Sequence, residues 1–311
     1  MEWSDRIGRR IRLRDLHILL AVVQCKSLAK AAEQLAISRP VVSRAIADLE
    51  RVLGVRLLER DRHGAEPTIY GAALLKRGAI VFDELRESVK DIEFLADPTA
   101  GEVRIGCHPF LAPTFITAVI DRFSQRYPRI VFRLVATQAE ILYRELNERN
   151  VDLLVAQRFG PLADEKLGFE IVYDDAYVVI AGAENPWVRR RRIKLAELMN
   201  ESWALPPPES VLGSIAMKAF RASGLDYPRT TVFIAAPAEP RISLVATGRF
   251  LTIVPASALR FPTNRPDVKV LRIELPLPRM PVGIVTLRDR MLAPIGQLFI
   301  EHAREVAKQL T

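Results

Sequence analysis

Arg39, Ser43 and Arg44 have the side-chain types and the spacing that reading DNA bases requires. They lie near the start of a predicted helix, on the face that its apolar residues leave free. An arginine guanidinium donates paired hydrogen bonds to guanine, and a serine hydroxyl donates or accepts. Because the N-terminal residues of a helix in the major groove contact the base edges, these three side chains predict recognition of double-stranded DNA.

Two short amphipathic helices joined by a tight turn would hold this face outward, over residues 27–54. Ser27 and Ser38 precede the two helices and are predicted to cap them, and Pro40 falls in a first turn, where no N–H is needed. Gly54 ends the second helix, at a position that favours a left-handed residue. A plain structural hairpin is also apolar inside and polar outside, so this segment alone leaves both interpretations open.

The next segment favours DNA binding, because it predicts a small β-hairpin directly after the second helix. Residues 55–60 and 66–69 have strand character around a turn at 61–64, and Gly71 opens another helix. With an earlier helix that carries Leu16, Leu19, Leu20 and Val23, residues 1–70 predict a winged helix-turn-helix domain. The helix pair is expected to contact DNA through Ser27, Lys30, Ser38, Arg39, Pro40, Ser43 and Arg44. The wing is expected to contact phosphates through Arg60, Arg62 and His63.

The stretch from Leu13 to Gly71 resembles the LysR-type transcriptional regulators. The matching motifs are AKAAEQL, S-x-P-x-V-S-R, LE-x-x-LG-x-x-LLER and T-x-x-G. The resemblance implies a transcriptional regulator with a DNA-binding head, a linker helix that joins two chains, and an effector domain similar to the type II periplasmic binding proteins. Arg39 stands where the family often has glutamine, and Glu66–Pro67 is expected to interrupt the usual return strand of the wing.

Composition is consistent with this interpretation. The chain has 311 residues, a formal net charge of +8 and a pI near 9.7, which favours a polyanionic partner. The basic run at residues 189–192 is interpreted as a solvated loop, with a second nucleic-acid patch as the alternative. Two cysteines, no signal-peptide pattern and no apolar run of membrane-spanning length predict a cytoplasmic protein without a membrane partner.

Residues 71–97 predict a long helix whose apolar residues recur at alternating steps of four and three. Its seam consists of Leu75, Ala79, Phe82, Leu85, Val89, Ile92 and Ala96. Such a heptad stripe favours a partner helix, so we expect a homodimer or a homotetramer. Pro98 ends the helix, and residues 98–101 are expected to form a hinge.

From residue 102 to 311 the pattern alternates between strands and helices, which predicts parallel strands with crossover helices. The fold class is therefore α/β overall. The first lobe is expected to comprise about residues 102–170 and 276–311, and the second about 171–275, with a cleft between them.

Ligands in open α/β sheets bind beyond the carboxyl ends of the strands, so the cleft is the expected effector site. The candidate lining residues are Cys107, His108, Pro109, Thr137, Gln138, Gln157, Arg158, Ala236 and Pro237. These groups would suit a carboxylate or a sugar acid. His108 is equally interpretable as a structural histidine, and Arg158 as a surface ion-pair partner. Phe250 replaces a family glycine and is expected to narrow the cleft or to cover one side of it.

The sequence does not support catalysis. It has no Gly-rich phosphate loop, paired Cys-x-x-Cys, His-Glu-x-x-His or G-x-S-x-G motif, so no cofactor and no metal are expected. A disulfide switch in the effector region would need two cysteines there, and only Cys107 is present. The alternative to a regulator is a solute-sensing module whose head serves only for dimerisation.

Overall fold

The structure is a computed structural model that describes residues 10–61, 64–160, 164–235, 238–260 and 265–310. The side chains of Arg60, Asp61, Thr230 and Thr231 are also outside this description. The chain forms two compact units, Met1–Arg86 and Glu87–Thr311, and each is described by itself.

The N-terminal unit is a bundle of helices with a two-stranded wing, as the sequence predicts. Its elements are α1 (Leu13–Cys25), α2 (Leu28–Gln34), α3 (Arg39–Leu53), β1 (Leu58–Asp61), β2 (Gly64–Pro67) and the first part of α4 (Ile69–Ala96). Leu19 and Val22 of α1 pack with Ile46 and Leu49 of α3, and all four are fully buried. The apolar stripes therefore position the helices, and the polar faces of α2 and α3 stay outside.

Four local expectations for this unit are corrected. Ser38 occupies the N-cap position of α3, but its side chain makes no capping hydrogen bond. Only its backbone carbonyl is engaged, by the amides of Val41 and Val42. Glu66 and Pro67 do not interrupt the wing, because they pair with Glu59 and Leu58. The first wing strand begins at Leu58 and not at residue 55, and α4 begins at Ile69 and not at residue 71.

Two family motifs correspond to contacts that join the wing to the helices. Glu50 of α3 accepts hydrogen bonds from the amides of Leu57 (2.8 Å) and Leu58 (3.3 Å), so its carboxylate fixes the start of the wing. A Cβ on Gly71 would lie 2.1 Å from the carbonyl oxygen of Leu57. Only glycine allows α4 to approach the wing this closely.

The C-terminal unit contains two five-stranded sheets, and the predicted two-lobed α/β fold is confirmed. The sheet of lobe I has the order β4-β3-β5-β12-β6, and that of lobe II has the order β11-β7-β10-β8-β9. Lobe I consists of β3 (Ala100–Cys107), α5 (Thr117–Arg126), β4 (Arg129–Ala136), α6 (Ala139–Asn147), β5 (Leu153–Gln157), β6 (Leu167–Asp175), β12 (Met280–Leu287) and α9 (Pro294–Ala307). Lobe II consists of β7 (Tyr177–Gly182), β8 (Ser202–Leu205), α7 (Val211–Ala222), β9 (Thr230–Phe233), α8 (Glu239–Ala246), β10 (Phe250–Pro255) and β11 (Val268–Val270).

The closing segment returns to lobe I, where β12 lies antiparallel between β5 and β6. Since β6 pairs with β12 as far as Asp175, the first crossing between the lobes lies at Ala176 and not at residue 170. Each sheet packs its own helices around its own core, with Phe115 and Phe299 in lobe I and Trp203 and Phe220 in lobe II.

A buried ionic network attaches the end of α4 to lobe I. Asp152 accepts hydrogen bonds from the backbone amide of Arg104 (2.8 Å), from Arg290 Nη2 (3.0 Å) and from Lys90 Nζ (3.3 Å). Glu87 of α4 pairs with Arg290 and with Lys90, each at 3.0 Å. Burial raises the pKa of Asp152, but hydrogen bonds and charges from Arg104 and Lys90 outweigh this and hold the pKa below its usual range.

This network changes the interpretation of residues 98–101. The sequence predicts a hinge there, but Ala100 and Gly101 already belong to β3. The last turns of α4 are bonded to the same sheet through Glu87 and Lys90. Residues 98–101 are therefore a short connection within one unit, because the ionic contacts on either side of them fix both ends.

We predict that Asp152→Asn lowers the free energy of unfolding of the C-terminal unit by about 3–5 kcal/mol, because Arg104, Arg290 and Lys90 then share Glu87 as their one remaining carboxylate in the network. The control is Glu305→Gln, which breaks a half-exposed pair with Arg122 and should cost less than about 1 kcal/mol. Urea denaturation followed through the fluorescence of buried Trp203 measures both. Equal losses in the two variants would contradict a structural role of the network.

Candidate DNA-binding and effector sites

The start of α3 carries basic side chains that are exposed, on the side away from its buried residues. Val42, Ile46 and Leu49 are fully buried on the inner face, whereas Arg39 and Arg44 are exposed on the outer one. Neither arginine has a hydrogen-bond or ion-pair partner in the described part of the chain. By contrast, Arg51 at the other end of α3 pairs with Asp48. The free guanidinium groups are thus confined to the first two turns.

The other predicted DNA residues of α2 and α3 are exposed or half-buried. Lys30, Ser38 and Pro40 are exposed, and Ser43 is half-buried. Ser27 is the N-cap of α2, where its hydroxyl accepts a hydrogen bond from the amide of Lys30 at 3.4 Å. Arg60 lies in β1, and Arg62 and His63 lie outside the described residues. The structure therefore places the predicted helix residues at or near the surface of α2 and α3, and DNA contact by the helix and wing residues stays a prediction.

The cleft of the C-terminal unit holds a small cavity at the carboxyl ends of the lobe II strands. Its lining includes Phe110 from lobe I and Tyr177, Pro206, Arg241 and Ile253 from lobe II. Its volume is about 10 Å³, which is enough for one water molecule. In this closed arrangement the lobes meet directly around the position where a ligand is expected.

A hydrogen bond joins the two lobes beside this cavity. Tyr177 at the start of β7 donates to Gln157 Oε1 at the end of β5, at 2.7 Å, and both side chains are buried. Among the described residues, Gln157 Nε2 has no hydrogen-bond partner. Of the predicted effector residues, Gln157 is therefore the one that contacts the opposite lobe.

The predicted residues around Gln157 have different surroundings. Cys107 is fully buried in the core of lobe I, and burial raises the pKa of its thiol to about 12. Its carbonyl accepts a hydrogen bond from the amide of Thr137, which is half-buried, as is Pro109. Gln138 is exposed at the N-cap of α6. Ala236 and Pro237 lie outside the described residues.

Arg158 and Phe250 point away from the cavity. The guanidinium of Arg158 lies 4.8 Å from the ring centroid of Phe169, which packs on the other side of the lobe I sheet. Phe250 begins β10 and packs on the α8 side of lobe II, whereas the cavity is at the far end of β10, beside Pro255. The expectation that Phe250 narrows the cleft is therefore wrong.

His108 is a buried neutral histidine. Its ring stacks on Phe159 with a centroid distance of 6.1 Å, and its Nδ1 accepts a hydrogen bond from the amide of Gln157 at 3.3 Å. Burial lowers the pKa of His108 to about 4, although the charge of Glu140 acts in the opposite direction. His108 thus supports the end of β5, and at neutral pH it brings no positive charge to a carboxylate.

Sequence reasoning missed Arg241 and Tyr177. Arg241 is in the first turn of α8 and follows a proline, a position typical of exposed residues, yet its side chain is 1% exposed. Within the described ranges no cluster of His, Cys, Asp and Glu could hold a metal ion. No helix among them has both the length and the apolar composition needed to cross a membrane.

Comparisons with known proteins match both units. Residues 13–72 fit the family described as "Bacterial regulatory helix-turn-helix protein, lysR family", and residues 96–308 fit the "LysR substrate binding domain". The regulator GbpR of Azospirillum brasilense is 24% identical over 92% of this chain and 83% of its own length. The regulator OxyR of Escherichia coli is 26% identical over 88% of this chain and 89% of its own.

Two solved structures have the same fold. A point variant of full-length OxyR from Pseudomonas aeruginosa aligns with a TM-score of 0.67 at 18% identity, over 97% of this chain and 96% of that one. Full-length CbnR complexed with its target DNA aligns with a TM-score of 0.56 at 22% identity, over 95% and 99%.

We predict that the fold loses stability as the pH falls from about 6.5 to about 4. In this interval His108 is protonated in the unfolded chain but stays neutral in the folded one, so the unfolded state binds more protons and acid favours it. His108→Gln removes this proton uptake and should show a shallower fall in the urea midpoint over the same pH range. If the urea midpoints of the two proteins fall equally over this pH range, His108 is not the group responsible for the loss of stability.

Proposed function

This chain belongs to the LysR family of bacterial DNA-binding transcriptional regulators, and we propose that a small molecule bound between its two C-terminal lobes controls how its heads engage a promoter. The observation that supports DNA contact through α3 is the pair of exposed, unpartnered guanidinium groups at its start. Arg39, Ser43 and Arg44 would read base edges, and Ser27, Lys30, Ser38 and Pro40 would lie along the flanking backbone. Arg60, Arg62 and His63 would contact phosphates from the wing.

The proposed control acts through closure of the cleft. A ligand that binds the open or the closed arrangement more tightly shifts the population of the lobes toward it. The network around Asp152 bonds lobe I to the last turns of α4, so a change in lobe I reaches the linker helix directly. We propose a carboxylate or a sugar acid as the effector class, since the cleft contains the buried cation Arg241.

We further propose that the chain acts as a homodimer or a homotetramer through α4. Large apolar side chains recur along this helix with high exposure, Leu85 at 45%, Val89 at 53% and Ile92 at 66%. Water-exposed apolar residues at heptad spacing are typical of a helix that pairs with another. Two heads would also bury the DNA surface that specific binding requires, since one short helix and one wing bury too little.

A cytoplasmic location and the absence of enzymatic activity complete the proposal. A promoter-binding regulator needs access to chromosomal DNA, and Cys107, the one thiol of the effector unit, is packed in an apolar core. The alternative, a solute-sensing module whose head only dimerises, would not need free arginines at the start of α3.

We predict that Arg44→Ala weakens binding to the DNA that flanks the protein's own gene by about 5- to 150-fold, the equivalent of about 1–3 kcal/mol for a base contact. Arg51→Ala removes the same charge from the opposite end of α3 and serves as the matched control. Electrophoretic mobility shifts at low and moderate salt measure both variants. Retained binding in Arg44→Ala, or no binding by the unmodified chain at low salt, favours the solute-sensing alternative.

We predict that Val89→Glu together with Ile92→Glu shifts the protein from oligomer to monomer, because a carboxylate buried in a helix seam is strongly unfavourable. Met291→Glu is the control, since Met291 is 77% exposed and lies outside α4. Sedimentation velocity at micromolar concentration distinguishes the states. An oligomer that survives both seam substitutions would show that α4 is not the interface.

A further inference from the structure

Arg241 is a buried cation without a carboxylate partner in the part of the chain that the structure describes. Its side chain is 1% exposed, and its Nη1 donates to the carbonyl oxygen of Ile234 at 2.7 Å. A second, longer contact of 3.5 Å leads to the carbonyl of Ala235. Its Nε is buried and makes no hydrogen bond. These two neutral carbonyls thus accept hydrogen bonds from only some of the N–H donors of the guanidinium.

This arrangement is costly for a protein interior. Burial lowers the pKa of Arg241 to about 10, so the group still carries its charge at neutral pH. The nearby phenols of Tyr177 and Tyr227 cannot balance that charge, because burial raises the pKa of both. A buried charge normally has an ion partner, since the uncompensated charge is strongly destabilising. An anion beside Arg241 would supply it.

The surroundings of Arg241 are those of a ligand site. Arg241 and Tyr177 both line the cavity between the lobes. On the lobe I side, Gln157 accepts from Tyr177 and has a second buried donor, Nε2, without a partner. Two unused donors, one from each lobe, therefore flank the Tyr177–Gln157 contact.

The rest of the lining is apolar. Phe110, Pro206, Leu212 and Ile253 offer a ligand packing surface and no side-chain hydrogen bonds. The helix end itself is a poor anion site, because Glu239 lies in the first turn of α8. Recognition of an anion therefore depends on the side chain of Arg241.

We propose that Arg241 binds the carboxylate of a small organic acid with an apolar body, and that the amide nitrogen of Gln157 donates a second hydrogen bond from the other lobe. This inference rests on the proposed function and narrows its effector class, since the apolar walls leave the hydroxyls of a sugar acid unpaired. The cavity has room for only about one water molecule, so the acid enters when the lobes separate and the Tyr177–Gln157 bond opens.

Matched acids and amides test the proposal on the full-length protein. The probes are benzoate and benzamide, hexanoate and hexanamide, and gluconate, with binding measured by calorimetry and by thermal shift. We expect at least one of the two apolar acids to bind and to raise the melting temperature, with its amide weaker by more than about tenfold. Equal binding of acid and amide, preferential binding of gluconate, or no binding of either apolar acid would overturn the proposal.

Three variants separate ligand binding from a structural role of Arg241. Arg241→Gln should weaken binding of the acid by more than about tenfold and leave binding of the amide unchanged. Arg249→Gln removes an exposed arginine beyond the other end of α8 and should change neither. If Arg241→Gln does not fold, Gln157→Glu provides the test, because a carboxylate in lobe I should repel the acid and not the amide. Acid binding that survives Arg241→Gln would show that Arg241 only caps the carbonyls of Ile234 and Ala235. Acid binding that survives Gln157→Glu would show that the acid does not lie beside Gln157, and either result would overturn the proposal.

Mobility shifts with DNA from the protein's own promoter region distinguish this inference from the proposed function. If an amide or a sugar alters the DNA complex of the Arg241→Gln variant, the protein is still regulated by a small molecule. The proposed role of Arg241 is then refuted, and the proposed function is supported. An acid that binds through Arg241 without altering the DNA complex would support the site and refute the proposed regulation.

Discussion

The carboxylate of Asp152 is the contact on which the organisation of the C-terminal unit depends. It accepts from the backbone amide of Arg104 at 2.8 Å and from Arg290 at 3.0 Å, and it also holds Lys90 of α4. A buried ion pair is not by itself a strong source of stability, because desolvation opposes the Coulomb attraction. Its value here lies in geometry: four segments distant in sequence share one carboxylate, so each of them has a single position in which the buried charges are satisfied. The end of the linker helix therefore belongs mechanically to lobe I.

The sequence predicted the head well because its signals are local. The stripes of α2 and α3 recur at helical spacing, and Gly54 ends α3 at a φ of +72°. The predictions for the head were wrong where a backbone group makes a contact that was expected of a side chain. Ser38 has the type and the position of an N-cap, yet its carbonyl makes the contacts. Pro67 looks unfavourable in a strand, but it ends the short hairpin opposite Leu58, where a missing N–H is tolerated.

The sequence predicted the fold class of the effector unit, but it predicted less well which residues line the cleft. Alternation of strands and helices indicated two lobes, and strand ends indicated the cleft, but neither shows which side chains turn inward. Gln157 and Arg158 are consecutive, so they face opposite sides of the sheet end, and only Gln157 reaches the other lobe. Arg241 follows Pro240 in a segment that reads as an exposed helix start. Its burial results from the packing of α8 against lobe II, which depends on residues far away in the chain. The same holds for Asp152 and Arg290, which lie 138 positions apart.

The closed cleft sets a physical condition on any effector. If a ligand separates the lobes at this cavity, the bond between Tyr177 and Gln157 breaks, and because both groups are buried, each then lacks this partner unless the ligand replaces it. Binding is therefore most favourable for a molecule that accepts a hydrogen bond from Tyr177, places a negative charge beside Arg241 and packs against the apolar walls. A molecule that has only one of these properties leaves buried polar groups without hydrogen-bond partners, so it gains little binding free energy. In the proposed mechanism, the selectivity of the cleft follows from the polar contacts that closure already makes, because a ligand that replaces them separates the lobes without leaving buried groups unpaired.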